Sequence, residues 1–551
     1  MPRYRLKEQG WWPLLWAGLV GAAIFFRPPL PVDETRYLSV AWEMWQSHQF
    51  LVPHVNGVAY SHKPPLLFWL MQFGWWLFGV NEWSARLTAP LFGLGSMLLS
   101  MRLGSVLWPE NKEIARTLPF VLLGMVVWSV YGTMTLFDMP VVFFSLTAYL
   151  GLLRAQQGQG GWPWLLVGLA VGLGLLSKGP VIFLYIVPPA VLAPWWNSGR
   201  LSTRRWYGGL LLALAGGIIL ALGWALPAAR AGGPEYGHAI LLGQTTGRMV
   251  HSFAHERPFF WYAFWVPALF FPWIFWRPFW RGGRGLRFDR ASRFCLSVLV
   301  PAFLLLSCVS GKQVHYLLPL LPVAALLIAR AVSTVPDSSA ADLRPLAVLF
   351  IVIGLVALAL PWLHLQGGDA DVLVFLPPWL GAFPLLAGLL FLVPGSDSSP
   401  RLIARVASMN VLLLIILHLA VARPLHRFYD QTAIGSALRA LEADGHAVAV
   451  YPARLTDQLQ FAGRLTRPLL TMQTLEEEVL WAMKNPGQYC LFFISTEGRP
   501  WLQGKGTAAR FKEGWLIVRP AAGLHTDYLR WKTPRPARAP RRPPPLTSPP
   551  G

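Results

Sequence analysis

Acids, histidines and cations recur in six short stretches of this chain: DETRY from residue 33, SHKPP from 61, LFDMP from 136, LSKGP from 176, RMVHSFAHERP from 248 and GKQVHY from 311. The side chains in question are Asp33, Glu34, Arg36, His62, Lys63, Asp138, Lys178, Arg248, His251, His255, Lys312 and His315. Gathered at one place they would suit an anionic ligand, because Lys and Arg hold phosphate through charge-assisted hydrogen bonds. His251 and His255 also have the i, i+4 spacing that a divalent metal can use, although their stretch reads as a loop and lacks the HExxH pattern.

Each residue has a plainer reading. Asp33 precedes an amphipathic run in which Leu38, Ala41, Trp42 and Trp45 share a helical face, so it suits an N-cap. Asp138 stands where a tight hairpin enters an apolar run with Pro140 just inside, again a cap position. A carboxylate in so short and apolar a hairpin is nevertheless costly unless it has a partner. Lys63, Lys178 and Lys312 could each lay an aliphatic stem along lipid and lift the amine to the interface. The elements that carry these stretches decide whether they meet.

Those elements are membrane spans. Of 551 residues, 54% are hydrophobic and only 13% charged, and the mean hydropathy of +0.44 is too apolar for a soluble chain of this length. Apolar runs about as long as a bilayer core is thick fall near residues 11–28, 86–107, 116–136, 139–154, 162–177, 180–196, 207–229, 259–277, 293–310, 314–331, 345–363, 375–393 and 402–422, about thirteen helices in all. With the N-terminus inside, PENKEIAR, NSGRLSTRR and RPFWRGGRGLRFDRASR become inward loops rich in Arg and Lys, as the positive-inside rule predicts. The net charge of +21 is therefore a topology signal rather than a sign of a nucleic-acid partner. All the side chains named above fall on the outer side, where the cations run against the same rule.

Two segments need arbitration. PPLLFWLMQFGWWLFGV after Lys63 is about span length, but counting it would reverse every later loop. It is expected to be an interfacial or partly inserted helix with Pro64 and Pro65 in its first turn, within a first outer loop of residues 30–85 that also carries the amphipathic run. Splitting the chain at SKGP into two short spans keeps NSGRLSTRR inside. The run after Arg3, Arg5 and Lys7 ends without a small-x-small cleavage site and reads as a retained anchor. Cys295, Cys308 and Cys490 imply no disulfide framework.

The expected fold class is thus mainly α, a polytopic helical membrane domain over residues 1–425. From 426 to 531, helix-like stretches alternate with the β-like runs AVAVY, YCLFFIS and GWLIVRP, which predicts a small α/β domain outside the membrane. Residues 532–551 read as a disordered Pro/Arg tail.

The ordered set DETRY, YSHKPPLLFWL with LFGVNEWSAR, LFDMP, LSKGPV, GRMVHSFAHERPFFWY and GKQVHYLLPLLP resembles the GT-C membrane glycosyltransferases of the protein O-mannosyltransferase-like branch, and most nearly the lipid A aminoarabinose transferases. The resemblance runs from residue 1 to about 425, and the α/β domain to about 530 also fits. It implies a GT-C-like fold, a donor of 4-amino-4-deoxy-L-arabinose on undecaprenyl phosphate, and a lipid A phosphate as acceptor. It places the site and the C-terminal domain at the periplasmic face of the bacterial inner membrane. By motif, Asp33 and Asp138 match the two acidic residues of the family and Arg36 the phosphate partner beside the first. Tyr60 and Lys63 match the donor-phosphate loop, and Arg248 and Tyr316 resemble further donor-phosphate contacts. Glu34, Lys178, Lys312 and His315 are grouped with them as substrate-binding. Relatives commonly have an acidic residue before KPP where this chain has His62. A divalent metal held by His62, or by His251 and His255, therefore stays an open option, and no cofactor is required by the reading.

The chemistry follows from charge. Breaking a bond between a sugar and polyprenyl phosphate builds negative charge on the leaving phosphate, which preorganised cations stabilise; Arg36, Lys63 and Arg248 are the candidates. An ionised acceptor phosphate attacks without losing a proton, so Asp33 would orient the acceptor, hold the donor amine or assist a bound cation. With a hydroxyl acceptor it would serve as a general base, worth roughly a hundred- to ten-thousand-fold. Direct inverting displacement at the anomeric carbon is expected in either case, with the polyprenyl chain among membrane lipids in a groove between spans. Two other readings stand beside this one: a related transferase acting on a protein or core-sugar hydroxyl, and a lipid-sugar transporter. The transporter would carry inverted repeats and charges at mid-depth, whereas the sequence shows no repeat and gathers its charges at one face.

Overall fold

Side chains at helix ends, more than the spans themselves, set the architecture of this computed structural model. It describes residues 10–197, 202–247, 256–284, 288–335, 337–362, 377–393, 396–495, 506–512 and 514–532. The chain divides into one unit ending at Tyr429 and a second beginning at Asp430.

Within the first unit, α1 (Trp12–Phe26) leads to α2 (Asp33–Ser47), then to α3 (Leu66–Phe78) and α4 (Glu82–Leu107). Asn81 caps α4 by accepting from the Ser84 amide at 2.8 Å. The chain continues through α5 (Lys112–Gly124), α6 (Val126–Tyr131), α7 (Asp138–Ala155), α8 (Trp162–Lys178) and α9 (Phe183–Val191). Beyond lie α10 (Thr203–Ala231), α11 (Arg290–Cys308), α12 (Leu321–Ser333) and α13 (Ser399–Tyr429). Helices α4, α7, α8 and α10 pack side by side in that order. Among the described residues, eight stretches are long and apolar enough to cross a bilayer.

Several expected spans are shorter than a bilayer is thick. Those near 11–28 and 375–393 hold helices Trp12–Phe26 and Pro378–Leu392, and the one near 259–277 holds Trp261–Leu269 followed by a single 3-10 turn. The expected span 116–136 is broken at Met125 between α5 and α6. The break is stabilised from outside: Asn410 and Ser129 donate to the freed carbonyls of Gly124 and Leu123, and the Trp273 indole donates to Val121 O at 2.9 Å. A broken backbone at membrane depth needs such partners. Only glycine fits at 124, since a Cβ there would lie 2.3 Å from the Trp273 ring.

α3 has 13 residues, starts one position after Pro65, and buries Leu67, Phe68, Met71 and Trp75. Phe73, Trp76, Leu77 and Phe78 lie exposed on it, which suits a helix with one face on protein and one in lipid.

At SKGP the chain turns back. Gly179 has φ +75°, closing α8, and a 3-10 turn leads into α9. The Trp206 ring lies 5.1 Å from Trp164, near the start of α8, and 5.6 Å from Trp196, which follows α9. Both ends of the segment therefore reach the same place, and Lys178 occupies the tip of the resulting hairpin.

The helical unit consequently has two poles. At one, the Trp108 indole closing α4 donates to Asp289 at 3.0 Å, while Asp289 caps α11 through the Ser292 amide at 2.7 Å and faces Arg330 at 3.7 Å. The starts of α2 and α7 and the tip at Lys178 occupy the other.

The second unit is a five-stranded sheet flanked by helices. Its strands are β1 (Val448–Tyr451), β2 (Leu470–Thr471), β3 (Tyr489–Ser495), β4 (Thr507–Phe511) and β5 (Gly514–Pro520), in the order β2-β1-β3-β5-β4. β1 pairs in parallel with β2 and β3, whereas β5 runs antiparallel to β3 and β4. Ile434 and Leu438 from helix Thr432–Ala443 pack with Val448, Val450 and Leu491 on one face. Val479 and Ala482 from helix Leu475–Lys484 pack with Cys490, Phe492 and Ile517 on the other.

Candidate active site

Neither acidic residue is a cap. Asp138 is the first residue of α7, Phe137 holds the cap position without a side-chain bond, and the carboxylate turns to the hairpin tip instead. Its Oδ1 accepts from Lys178 Nζ at 2.6 Å, and its Oδ2 lies 3.8 Å from His315 Nε2. Both partners are largely buried, which makes this a strong charge-assisted contact. Lys178 Nζ also stands 4.2 Å from the centre of the Tyr316 ring. His315 meets Tyr316 edge to face at 4.8 Å and Tyr131 at 5.8 Å. Lys63 Nζ lies 5.6 Å over the Phe137 ring, near enough to act electrostatically on both Asp138 and His315. Four separated segments thus converge on one carboxylate.

Asp33 approaches from α2. It is the first helical residue after Val32, is exposed, and accepts from the Tyr37 hydroxyl at 3.0 Å. It too lies within electrostatic range of His315. Burial, and then the Asp33 charge, push the Tyr37 phenol well above its ordinary 10, so that it remains a donor. The Tyr37 ring packs edge to face on Phe137 at 4.9 Å and on Phe68 at 6.3 Å. Tyr60 is buried, its ring 6.2 Å from Phe68 and 5.3 Å from that of exposed His62. Arg36 is half-buried on α2.

Two expected ligand contacts have other work. Glu34, grouped above with the substrate-binding residues, is 2% exposed and engaged on every side. It pairs with Arg27 at 2.5 Å and accepts from the amides of Leu30 and Thr135, both at 2.9 Å. Burial alone would raise its pKa, but the guanidiniums of Arg27 and Arg86 outweigh burial and hold it at about 2. Lys312, also expected at the substrate, is buried with its ammonium donating to the carbonyls of Val309 and Arg257. It closes the C-terminal end of α11 rather than facing a ligand. Arg248, His251 and His255 lie outside the described residues. Among the described residues no three His, Cys, Asp or Glu are grouped to hold a metal ion, and His62 has an aromatic neighbour in Tyr60.

Sequence reasoning missed Arg27 and Arg86. Arg86 is fully buried and donates to Ala23 O, Ile24 O and Arg27 O at 3.0, 3.0 and 2.7 Å, while pairing with Glu82 at 2.6 Å. It satisfies carbonyls that the end of α1 leaves open. The signal was present in RPP and NEWSAR, two arginines at span ends on the side where the topology rule disfavours them.

Residues 62–224 match the sequence family described as dolichyl-phosphate-mannose-protein mannosyltransferase. The fold is similar to that of ArnT from Cupriavidus metallidurans bound to undecaprenyl phosphate, with a TM-score of 0.71 at 19% identity over 94% of this chain and 99% of that one. What is shared is thus a family match over residues 62–224 and an ArnT-like fold. The chain is 30% identical over 334 residues to undecaprenyl phosphate-alpha-4-amino-4-deoxy-L-arabinose arabinosyl transferase 1 of Sodalis glossinidius, covering 57% of this chain and 58% of that one. It is 29% identical over 394 residues to the corresponding transferase of Edwardsiella ictaluri, covering 68% and 66%. The chain thus spans less than two thirds of the length of these curated relatives. A likeness of this kind fixes the fold and leaves the chemistry to the site.

Proposed function

We propose that this chain transfers 4-amino-4-deoxy-L-arabinose from undecaprenyl phosphate to a phosphate of lipid A at the periplasmic face of the bacterial inner membrane. The observation that carries the proposal is Asp138, set between Lys178 and His315 at the pole where Asp33 and Lys63 arrive from other segments. The names of the relatives supply the donor, and the resemblance in motif order supplies the acceptor.

The residues divide the work by charge. Lys178 is neutralised by Asp138 and stacked on Tyr316, so it shapes the chamber more than it attracts a phosphate. Lys63 and Arg36 are the cations assigned to the donor phosphate, with Arg248 a third by motif. An oxygen of the acceptor phosphate attacks the anomeric carbon as the bond from that carbon to the donor phosphate oxygen breaks. Undecaprenyl phosphate leaves with the bonding pair, configuration inverts, and no proton need move. Cations preorganised toward the departing oxygen supply the main stabilisation. Asp33, oriented by Tyr37, holds the sugar amine or aligns the acceptor. The exposed face of α3 keeps the chamber at the lipid surface, where both substrates are anchored.

Purified full-length protein in nanodiscs, given the undecaprenyl-phosphate aminoarabinose and lipid A, should produce pentosamine-modified lipid A by mass spectrometry. Transfer to a protein or core-sugar hydroxyl with lipid A left unchanged would overturn the acceptor, and movement of intact donor without any bond cleavage would overturn the enzyme.

A further inference from the structure

We infer that Arg27 and Glu34 form a positioning bracket that sets the two acid-bearing segments of the site, Asp33 on α2 and Asp138 on α7, at a fixed separation. The Glu34 carboxylate joins three pieces of chain. Oε2 accepts from Arg27 Nη1 at 2.5 Å and from the Leu30 amide at 2.9 Å, while Oε1 accepts from Arg27 Nη2 at 3.1 Å and from the Thr135 amide at 2.9 Å. Arg27 Nη2 reaches Thr133 O as well, at 3.4 Å. Asp33 is the residue before Glu34, and Asp138 follows Thr135 by three positions. The bracket is itself anchored, because Arg86 of α4 donates to Arg27 O and to the last carbonyls of α1.

A purely structural role explains this poorly. A buried ion pair is commonly no more stabilising than well-packed apolar side chains of similar volume, so stability alone does not call for one here. What apolar packing lacks is direction. Four bonds of defined length converging on one carboxylate hold two segments to the sub-ångström tolerance that a reacting constellation requires.

The test uses full-length protein in nanodiscs carrying Arg27→Met with Glu34→Leu, which removes both charges together. Its kinetic arm rests on the transferase reading proposed above; its cross-linking arm does not. The double variant should unfold within a few degrees of wild type, yet lose at least about thirtyfold in kcat with the donor KM within about threefold. In the second arm, Asp33→Cys and Met134→Cys, the latter half-buried between Thr133 and Thr135, are introduced with exposed Cys308 changed to Ser, the other two cysteines being buried, and joined by a short bismaleimide. Cross-linking should slow about tenfold when the bracket is removed. If wild type transfers no aminoarabinose, the function proposed above falls and cross-linking alone decides the bracket. Cross-linking at the wild-type rate, or a stable double variant with kcat within about threefold of wild type, overturns the inference. Should the double variant fail to fold, Glu34→Gln replaces it in both arms, with unchanged cross-linking again the refuting result.

Discussion

Acid should loosen the Arg27–Glu34 pair, by an amount the structure allows one to work out. The Glu34 carboxyl is held at about 2 against an ordinary 4.5. A folded-state pKa below the unfolded one contributes stability that is present above 4.5 and disappears as pH falls toward 2 and below. The difference of about 2.5 units corresponds to about 3 kcal/mol, or roughly 300-fold in the unfolding equilibrium. Glu34→Gln imitates the protonated form, leaving Arg27 buried without its anionic partner. At neutral pH the variant should therefore be less stable than wild type by about that amount, and the two should converge below pH 4.5. The assay is equilibrium unfolding in detergent micelles, followed by tryptophan fluorescence at pH steps between 7 and about 2. Other carboxylates titrate in the same range but are common to both proteins, so the difference isolates Glu34. A gap that stays constant with pH would refute the assignment of the carboxylate as ionised and paired.

Lys178→Met should strand the buried Asp138 carboxylate and cost about 3–5 kcal/mol, whereas adding Asp138→Asn should restore most of the loss; thermal unfolding of the four members of the cycle measures both. Asp33→Asn should lower transfer by at least about a hundredfold while leaving membrane insertion intact, checked by turnover beside expression and protease mapping. Tyr37→Phe, which removes the 3.0 Å bond to Asp33, should lower kcat by about tenfold with little change in stability. In the second unit both oxygens of Glu478 are buried without a hydrogen-bond partner among the described residues, and burial raises its pKa well above 4.5. Its stabilising contribution is present below 4.5 and lost as pH rises, so Glu478→Gln should stabilise that unit increasingly toward neutral pH, as read by denaturant unfolding at several pH values.

The membrane character, the hairpin at SKGP and strands β1, β3 and β5 of the second unit were legible because hydropathy, inward arginines and β-rich runs are properties of local sequence. The meeting of Asp138 with Lys178 was only half legible. Both were on the expected side, yet their distance depends on how α7 and α8 pack, which no single segment encodes. Glu34 shows the opposite failure: next to Asp33 in sequence, it points the other way around α2 and is sealed by an arginine that ends a different helix. Lys312 misled because a lysine at a span end looks the same whether it seeks a ligand or closes carbonyls. The break at Met125 was hidden because its partners, Asn410 and Trp273, lie far along the chain.

Clasping both ends of the SKGP hairpin against Trp206 turns α8 into a ruler. Its 17 residues rise about 25 Å at 1.5 Å each, so the depth of the Lys178 amine is measured from the opposite leaflet. Removing a single residue between Trp164 and Lys178 would draw that amine back by about 1.5 Å and swing it through about 100°. The height of that amine is in this sense written in a count of residues along the helix that carries it.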